Sequence, residues 1–392
     1  MLRSFPRPLR VLLPIIGFAG FVLACSYIIV TFITPRIDFN VYQAAGRAWL
    51  HGAALYDDSF TQGHTLSPYI YPPLAALFFV VLTPFPPVVG ALIVEIASLA
   101  SLWAINFMVL RRAGQPMSIV WLSFLICCTF HPVRILFDLG QIDLILLCLI
   151  VADVCGFLPD CLRGFGVGLA GALKLSPALF GMIFLVRRQW PAVIRAAVIF
   201  FASIGLTGIL NWPQTKEFWL HQLNAVSVVN PADYFRNQSL RGFLSRSGLP
   251  ESYWDTVANP IFLIFIVIAL VIVFRLRKNP DYTSSLLIVC LATYLGSPVS
   301  NIHNWVGVVI FAPWLFTMTS RRAQVLVFAV VFLFAIHFSA GNAYLTHAHS
   351  LAGVIEWLWN NAIFFGGFVA LVGLGIYAFT YAPTPRHSYP AV

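Results

Sequence analysis

Residues 11–58 read VLLPIIGFAGFVLACSYIIVTFITPRIDFNVYQAAGRAWLHGAALYDD, and the join in the middle decides the fold. Residues 11–33 carry no charge, and as a helix rising 1.5 Å per residue they are long enough to cross the hydrocarbon core of a bilayer. Arg36 and Asp38 follow at once. Aspartate is a favoured helix N-cap, and DFNVYQAAGRAWL has small or apolar residues at helical spacing, so capping is one reading of Asp38. The other is a reacting carboxylate held at a membrane surface. The rest of the chain bears on that choice.

Of the 392 residues, 60% are hydrophobic and only 9% charged, against about a quarter charged in soluble domains. The composition therefore predicts one polytopic, all-α membrane domain spanning residues 1–392. The net charge of +9 sits in small clusters between apolar runs, the pattern of topology signals rather than of a nucleic-acid surface. The seven cysteines lie mostly in apolar runs and form no C-x-x-C pair, so they are expected to be buried thiols. The first apolar run is too long for the core of a cleaved signal peptide and is expected to remain as a span.

Candidate spans are 11–33, 88–110, 117–135, 141–158, 190–210, 260–275, 283–299, 304–319, 323–343 and 355–380. The segment 71–85, bracketed by prolines, is short, and 164–186 carries Lys174 and Pro177 in its middle. If 71–85 lies along the interface and 164–186 enters and returns as two short helices meeting near Lys174, every basic cluster falls on one side. These are Arg111–Arg112, Arg163, Arg187–Arg188, 275–278 and Arg321–Arg322. This reading predicts about 12 membrane helices with both termini cytoplasmic. Two long segments, 34–87 and 211–259, then lie outside.

The same topology gathers Asp38, the segment HPVRILFDLGQID (131–143), the break LKLSP (173–177) and SPVSNIHNW (297–305) at the outer face. Lys174 is expected either to pair with Asp143 or Asp153 or to hold an anion, because charge within a span is rare and usually partnered. Asp57 and Asp58 read as solvated, His221, His347 and His349 as peripheral, Arg195 and Glu356 as structural. A transporter would place its polar groups along a path at the midplane. Concentration at one face points instead to surface chemistry on a lipid-linked substrate.

The blocks DFNVYQAAGRAWLHGAALYD, YIYPPLAALFFVVLTPFP, LGQIDLILLCLIVAD, GLAGALKLSPALFGMIFLVRRQW and SPVSNIHNW resemble, in order, the polyprenol-phosphate-sugar-dependent GT-C glycosyltransferases, and more closely the GT87 group. The resemblance runs from about residue 36 to residue 320. It implies a GT-C fold and a polyprenyl-phosphate-linked sugar, mannose first, as donor. It also implies a glycolipid or cell-envelope glycan acceptor and catalysis at the outer face of the cytoplasmic membrane. Asp38 is carried over as general base, and His303 is expected to be catalytic by holding the donor phosphate or by protonating it as it departs. Lys174, His303, Arg134 and Arg241 are candidates for the donor phosphate, and Tyr42, Tyr71, Gln141 and Trp305 for a sugar or lipid groove. No D-x-D occurs, so no metal or other cofactor is expected. An arabinosyl donor, or a flippase or polymerase of lipid-linked saccharide, remains open.

Overall fold

The computed structural model describes residues 6–57, 60–61, 66–223, 234–278, 282–337, 345 and 350–380. Asp58, His347 and His349 lie outside them. The described chain is helical, with one isolated β-bridge between Asn237 and Asn301. The helices that frame the site are α1 (Arg7–Thr31), α2 (Ile37–Leu50), α3 (Pro73–Phe79), α4 (Pro87–Arg112), α5 (Met117–Cys128), α6 (His131–Leu139), α7 (Asp143–Val154), α8 (Phe165–Leu173), α9 (Gly181–Val186) and α10 (Trp190–Leu210).

Among the described residues five helices are long and apolar enough to cross a membrane: α1, α4, α10, Glu251–Arg275 and Ala362–Thr380. A sixth arises if α5 and α6 count as one span, although they bend by 69° at Thr129–Phe130. The expected unbroken run at 117–135 is thus two helices, with Pro132 in the first turn of the second. Other apolar runs are shorter than expected. The run at 141–158 contracts to α7, and 304–319 becomes a 3-10 helix, Ile302–Ile310, followed by Phe311–Leu315. The run at 355–380 breaks at Asn361.

Burial explains the difference in length. Thr283–Gly296 is surrounded by protein along nearly its whole surface. A helix so placed is apolar whether or not it spans the bilayer. By contrast α10 buries only Ala192 and Thr207 and turns Ile194, Val198, Phe201 and Ile209 outward. A face of that kind needs lipid.

Three local features position the site. At the end of α1, Arg36 Nε lies 2.7 Å from Glu95 Oε1 on α4, and its NH2 group donates to the Tyr27 carbonyl at 3.0 Å and to Thr31 Oγ1 at 2.8 Å. Thr31 also donates to Glu95. This sealed clamp sets where α2, and with it Asp38, begins.

The second feature is Gly140, which ends α6 with φ +74°, a left-handed conformation that a side chain strains to adopt. Gln141 N donates to the Leu136 carbonyl at 3.1 Å and Gly140 N to that of Phe137 at 3.3 Å, a Schellman ending. A Cβ on Gly140 would stand 2.8 Å from the Cβ atoms of Arg36 and Phe39. Only glycine lets this turn press against α2 and deliver Gln141 beside Asp38.

The third is the break at Lys174, which is extended at φ −151°, ψ 127°. The chain folds back there, since a Cβ on Gly171 would lie 3.0 Å from the Cβ of Ala178. Asp153, fully buried, accepts from Gly164 N at 2.7 Å and Val167 N at 2.9 Å, and so caps α8 from α7. Two helical pieces do meet at Lys174. Pro73–Leu82 is too short to cross. Cys25 and Cys161 are exposed, which corrects the expectation that the thiols are all buried.

Candidate active site

Asp38 sits in the first turn of α2, but Arg36 holds the N-cap position and no side chain caps the helix. The capping reading therefore fails. The Asp38 carboxylate turns to Gln141, whose Nε2 donates to Oδ2. The same Nε2 donates to the Tyr71 hydroxyl at 3.1 Å, while Gln141 Oε1 accepts from the Tyr42 hydroxyl. The two phenol oxygens are 3.0 Å apart. Both ends of the Gln141 amide are engaged, so its orientation is fixed and Asp38 is held from one side. Burial raises the Asp38 carboxyl above its ordinary value of 3.8, although the Gln141 hydrogen bond and the Lys174 charge pull the other way.

Lys174 Nζ lies 2.7 Å from Asp143 Oδ1 and 3.2 Å from Asn304 Oδ1, with the Tyr71 ring centroid 5.6 Å away. Of its two expected carboxylate partners, Asp143 is the one it meets. Asp143 Oδ2 is buried without a hydrogen-bond partner. A small cavity beside Asp143 is lined by Leu147, Ile150, Pro177 and Phe180 together with Ser176, Thr293 and Asn304. His303, next to Asn304, is buried, and its Nδ1 has no partner either.

Sequence reasoning missed Arg236. The β-bridge between Asn237 and Asn301, with Gln238 N donating to the Ser300 carbonyl at 2.8 Å, pins the segment after Tyr234 onto the strand-like approach to His303. Arg236 thereby comes near enough to act electrostatically on both Asp38 and His303. Its Nε is buried with no hydrogen-bond partner. Nothing in the segment YFRNQSLRG distinguishes Arg236 from Arg241; only the bridge does.

The structure does not bring the remaining expected residues into the cluster. Arg241 points to Asp255, 3.1 Å away, and to the Trp254 ring. Arg134 donates to the His337 carbonyl and lies 3.4 Å from His131 Nδ1. Trp305 is fully buried against Tyr294 and Phe334, so closely that a Cβ on Gly367 would stand 2.4 Å from its ring. It is core, not groove. Its sequence neighbours suggested a site because consecutive residues of a 3-10 helix face different ways.

A half-buried carboxylate, two cations and a buried histidine are thus brought into one polar cluster beside Tyr71. Such a set can take a proton from a hydroxyl and hold an anionic group beside it. Two proteins of Mycolicibacterium smegmatis are similar to this chain. One is a polyprenol-phosphate-mannose-dependent alpha-(1-2)-phosphatidylinositol mannoside mannosyltransferase, 32% identical over 69% of this chain and 67% of its own length. The other is the corresponding phosphatidylinositol pentamannoside mannosyltransferase, 30% identical over 73% of this chain and 71% of its own length. A phosphatidylinositol mannoside mannosyltransferase of Mycobacterium tuberculosis is 30% identical over 70% of this chain and 68% of its own length. The family model for glycosyltransferase family 87 matches residues 69–298, which include Tyr71, Gln141, Asp143, Lys174 and Arg236 but neither Asp38 nor His303. With more than half of its length matched, the chain belongs to glycosyltransferase family 87, and it is a glycosyltransferase.

Proposed function

We propose that the chain transfers mannose from a polyprenyl-phosphate donor to a glycolipid acceptor at the outer face of the cytoplasmic membrane, with inversion at the anomeric carbon and Asp38 as general base. The observation that carries this reading is the placement of Asp38 by Gln141 within one cluster with Lys174 and Tyr71. The donor and the glycolipid acceptor are those named for the relatives.

The acceptor hydroxyl attacks the anomeric carbon from the side opposite the phosphate. As the new C–O bond forms, Asp38 takes the hydroxyl proton and the bond to phosphate oxygen breaks, leaving polyprenyl phosphate. Catalysis of this kind asks for a base within hydrogen-bond reach and for cations where the leaving charge grows. Lys174 and Arg236 supply the charge, and His303 offers an unpartnered ring nitrogen. Asp143 keeps Lys174 charged and in place until an anion shares it. Gln141 and the two tyrosines orient Asp38.

The test is transfer of radiolabelled mannose from polyprenyl-phosphate-mannose to phosphatidylinositol mannosides by purified protein, with and without EDTA. Transfer by wild type and loss in Asp38→Asn, with EDTA without effect, is the expected result. An Asp38→Asn enzyme as active as wild type overturns the role of Asp38. Transfer only from an arabinosyl donor overturns the sugar.

A further inference from the structure

A further carboxylate, Asp138, stands on α6 at the exposed edge of the cluster. His131, Arg134 and Asp138 are spaced by three and four residues and so share one face of that helix. Along this face the side chains pass from buried at His131 through half-buried at Arg134 to exposed at Asp138. The opposite face is fixed by packing, as Val133 and Leu136 are buried and Phe137 stacks on Tyr27 with ring centroids 4.3 Å apart. Arg134 ties the polar face to the His337 carbonyl. Asp138 is the last residue but one of α6, and the turn at Gly140 that follows presses on Arg36 and Phe39. Gln141, the residue that holds the Asp38 carboxylate, is three positions further on. The backbone therefore fixes Asp138 and Asp38 relative to each other through one short, well-packed stretch.

Arg36, Arg236 and Arg134 all lie near enough to act electrostatically on Asp138. Among the described residues, however, no ion pair includes Asp138. Between residues 6 and 380 the residues outside the described ones include no lysine or arginine, so none of them supplies such a partner. Arg36 is committed to Glu95 and Arg134 to the His337 carbonyl. The Asp138 carboxylate, exposed and in no ion pair, keeps its oxygens for donors from outside the protein. An ionised carboxylate only accepts hydrogen bonds, so it repels a phosphate and suits hydroxyl groups. The charges around the two carboxylates also differ. Lys174, Asp143 and Arg236 act on Asp38, whereas Arg36, Arg236 and Arg134 act on Asp138. Asp38 thus has Lys174 toward one side and α6 with Asp138 toward the other. Transfer with inversion keeps the phosphate and the attacking hydroxyl on opposite sides of the anomeric carbon. With the donor phosphate at Lys174, the acceptor comes in over α6.

We propose that Asp138 is an acceptor-recognition residue: its carboxylate accepts hydrogen bonds from sugar hydroxyls of the glycolipid headgroup other than the one Asp38 deprotonates. It thereby selects a glycosylated lipid over the same lipid without sugar. This assignment rests on the reading of Asp38 as base and of a glycolipid as acceptor. A site built to hydrogen-bond a substrate hydroxyl discriminates strongly against the analogue that lacks it, because its own polar group is then left without a partner.

The test has a binding arm and a kinetic arm, both on the purified full chain. In the first, intact-protein mass spectrometry follows retention of phosphatidylinositol mannoside against phosphatidylinositol from mixed micelles. Wild type is expected to retain the mannoside preferentially, and Asp138→Ala to lose that preference. In the second, Asp138→Ala raises the KM for the mannoside acceptor about 10–100-fold, the worth of hydrogen bonds to a charged group, while the KM for polyprenyl-phosphate-mannose stays at the wild-type value. Asp138→Asn, which keeps one accepting oxygen, falls between the two. Thermal melting of both variants matches wild type, since an exposed side chain in no ion pair contributes little to stability. A wild type that prefers the mannoside but transfers no mannose overturns the reaction proposed above, and loss of the preference in Asp138→Ala still supports Asp138 as a sugar-binding residue. Equal retention of the two lipids by wild type overturns the site. So does an Asp138→Ala variant with wild-type lipid preference and acceptor KM, or one whose donor KM rises as much as its acceptor KM.

Discussion

Two ion pairs of the same length do different things in this molecule. Arg36–Glu95 and Lys174–Asp143 both close to 2.7 Å. The first is sealed, with side chains 3% and 1% exposed, and Thr31 and the Tyr27 carbonyl engage its Nε and NH2 groups and a Glu95 oxygen. The second is 15% and 11% exposed, leaves Asp143 Oδ2 without a partner and shares Lys174 with Asn304. A dry pair held by several further hydrogen bonds holds structure. One that keeps unengaged capacity next to an opening can exchange its partner for a ligand. Saturation and access, rather than residue type, separate the two roles.

The comparison can be broken by removing members from each side. Asp38→Asn, on the open side, is expected to lower transfer by ~10²–10⁴-fold, read as a turnover rate at saturating donor. Its folded carboxyl is raised above 3.8, so the native state binds a proton that the unfolded chain has released, and stability falls as pH rises through that window. At neutral pH the ionised group therefore opposes folding, and Asp38→Asn should melt no lower than wild type. Glu95→Ala, on the sealed side, strands Arg36 and should cost ~3–5 kcal/mol in thermal or denaturant unfolding, with turnover per folded molecule largely kept. Equal losses of stability from Glu95→Ala and Lys174→Met would erase the distinction.

Lys174→Met should act mainly on the donor, raising its KM by about 10–100-fold, the worth of a charge-assisted hydrogen bond. The same variant sharpens the pH dependence. Transfer needs ionised Asp38, so the acid limb of the rate profile should lie above the ordinary carboxylate range. Removing Lys174, which pulls the Asp38 carboxyl down, should move that limb further up in pH. The smallest effect is expected from Arg241→Gln. Its partner Asp255 is 63% exposed, and such pairs contribute under about 1 kcal/mol, so melting and transfer should both stay close to wild type.

Much of the site was legible because polar residues are conspicuous in an apolar chain. Asp38, Gln141, Lys174 and His303 stand out in runs where charge and amide groups are rare, and the break at Lys174 follows from a proline close behind it. Arg241 and Trp305 misled for a common reason: proximity in sequence to a site says little about direction in a 3-10 helix or beyond a bridge. Arg236 was invisible because its neighbour Asn237 pairs with Asn301, a contact between distant segments. Helix lengths were overestimated in the interior, where apolar character reflects burial among neighbours as well as lipid.

The sequence by itself determined that this is a helical membrane protein, because composition and apolar run length follow from local chemistry alone, while the likeness to glycosyltransferases came from its ordered sequence blocks. Tertiary structure alone decided that Asp38 turns away from the helix N-cap toward Gln141. It decided, too, which cation pairs with which acid and which of two arginines faces the histidine. Those choices depend on contacts across the fold, such as the approach of Gly140 to Arg36 and Phe39, where the absence of one side chain lets two helices meet.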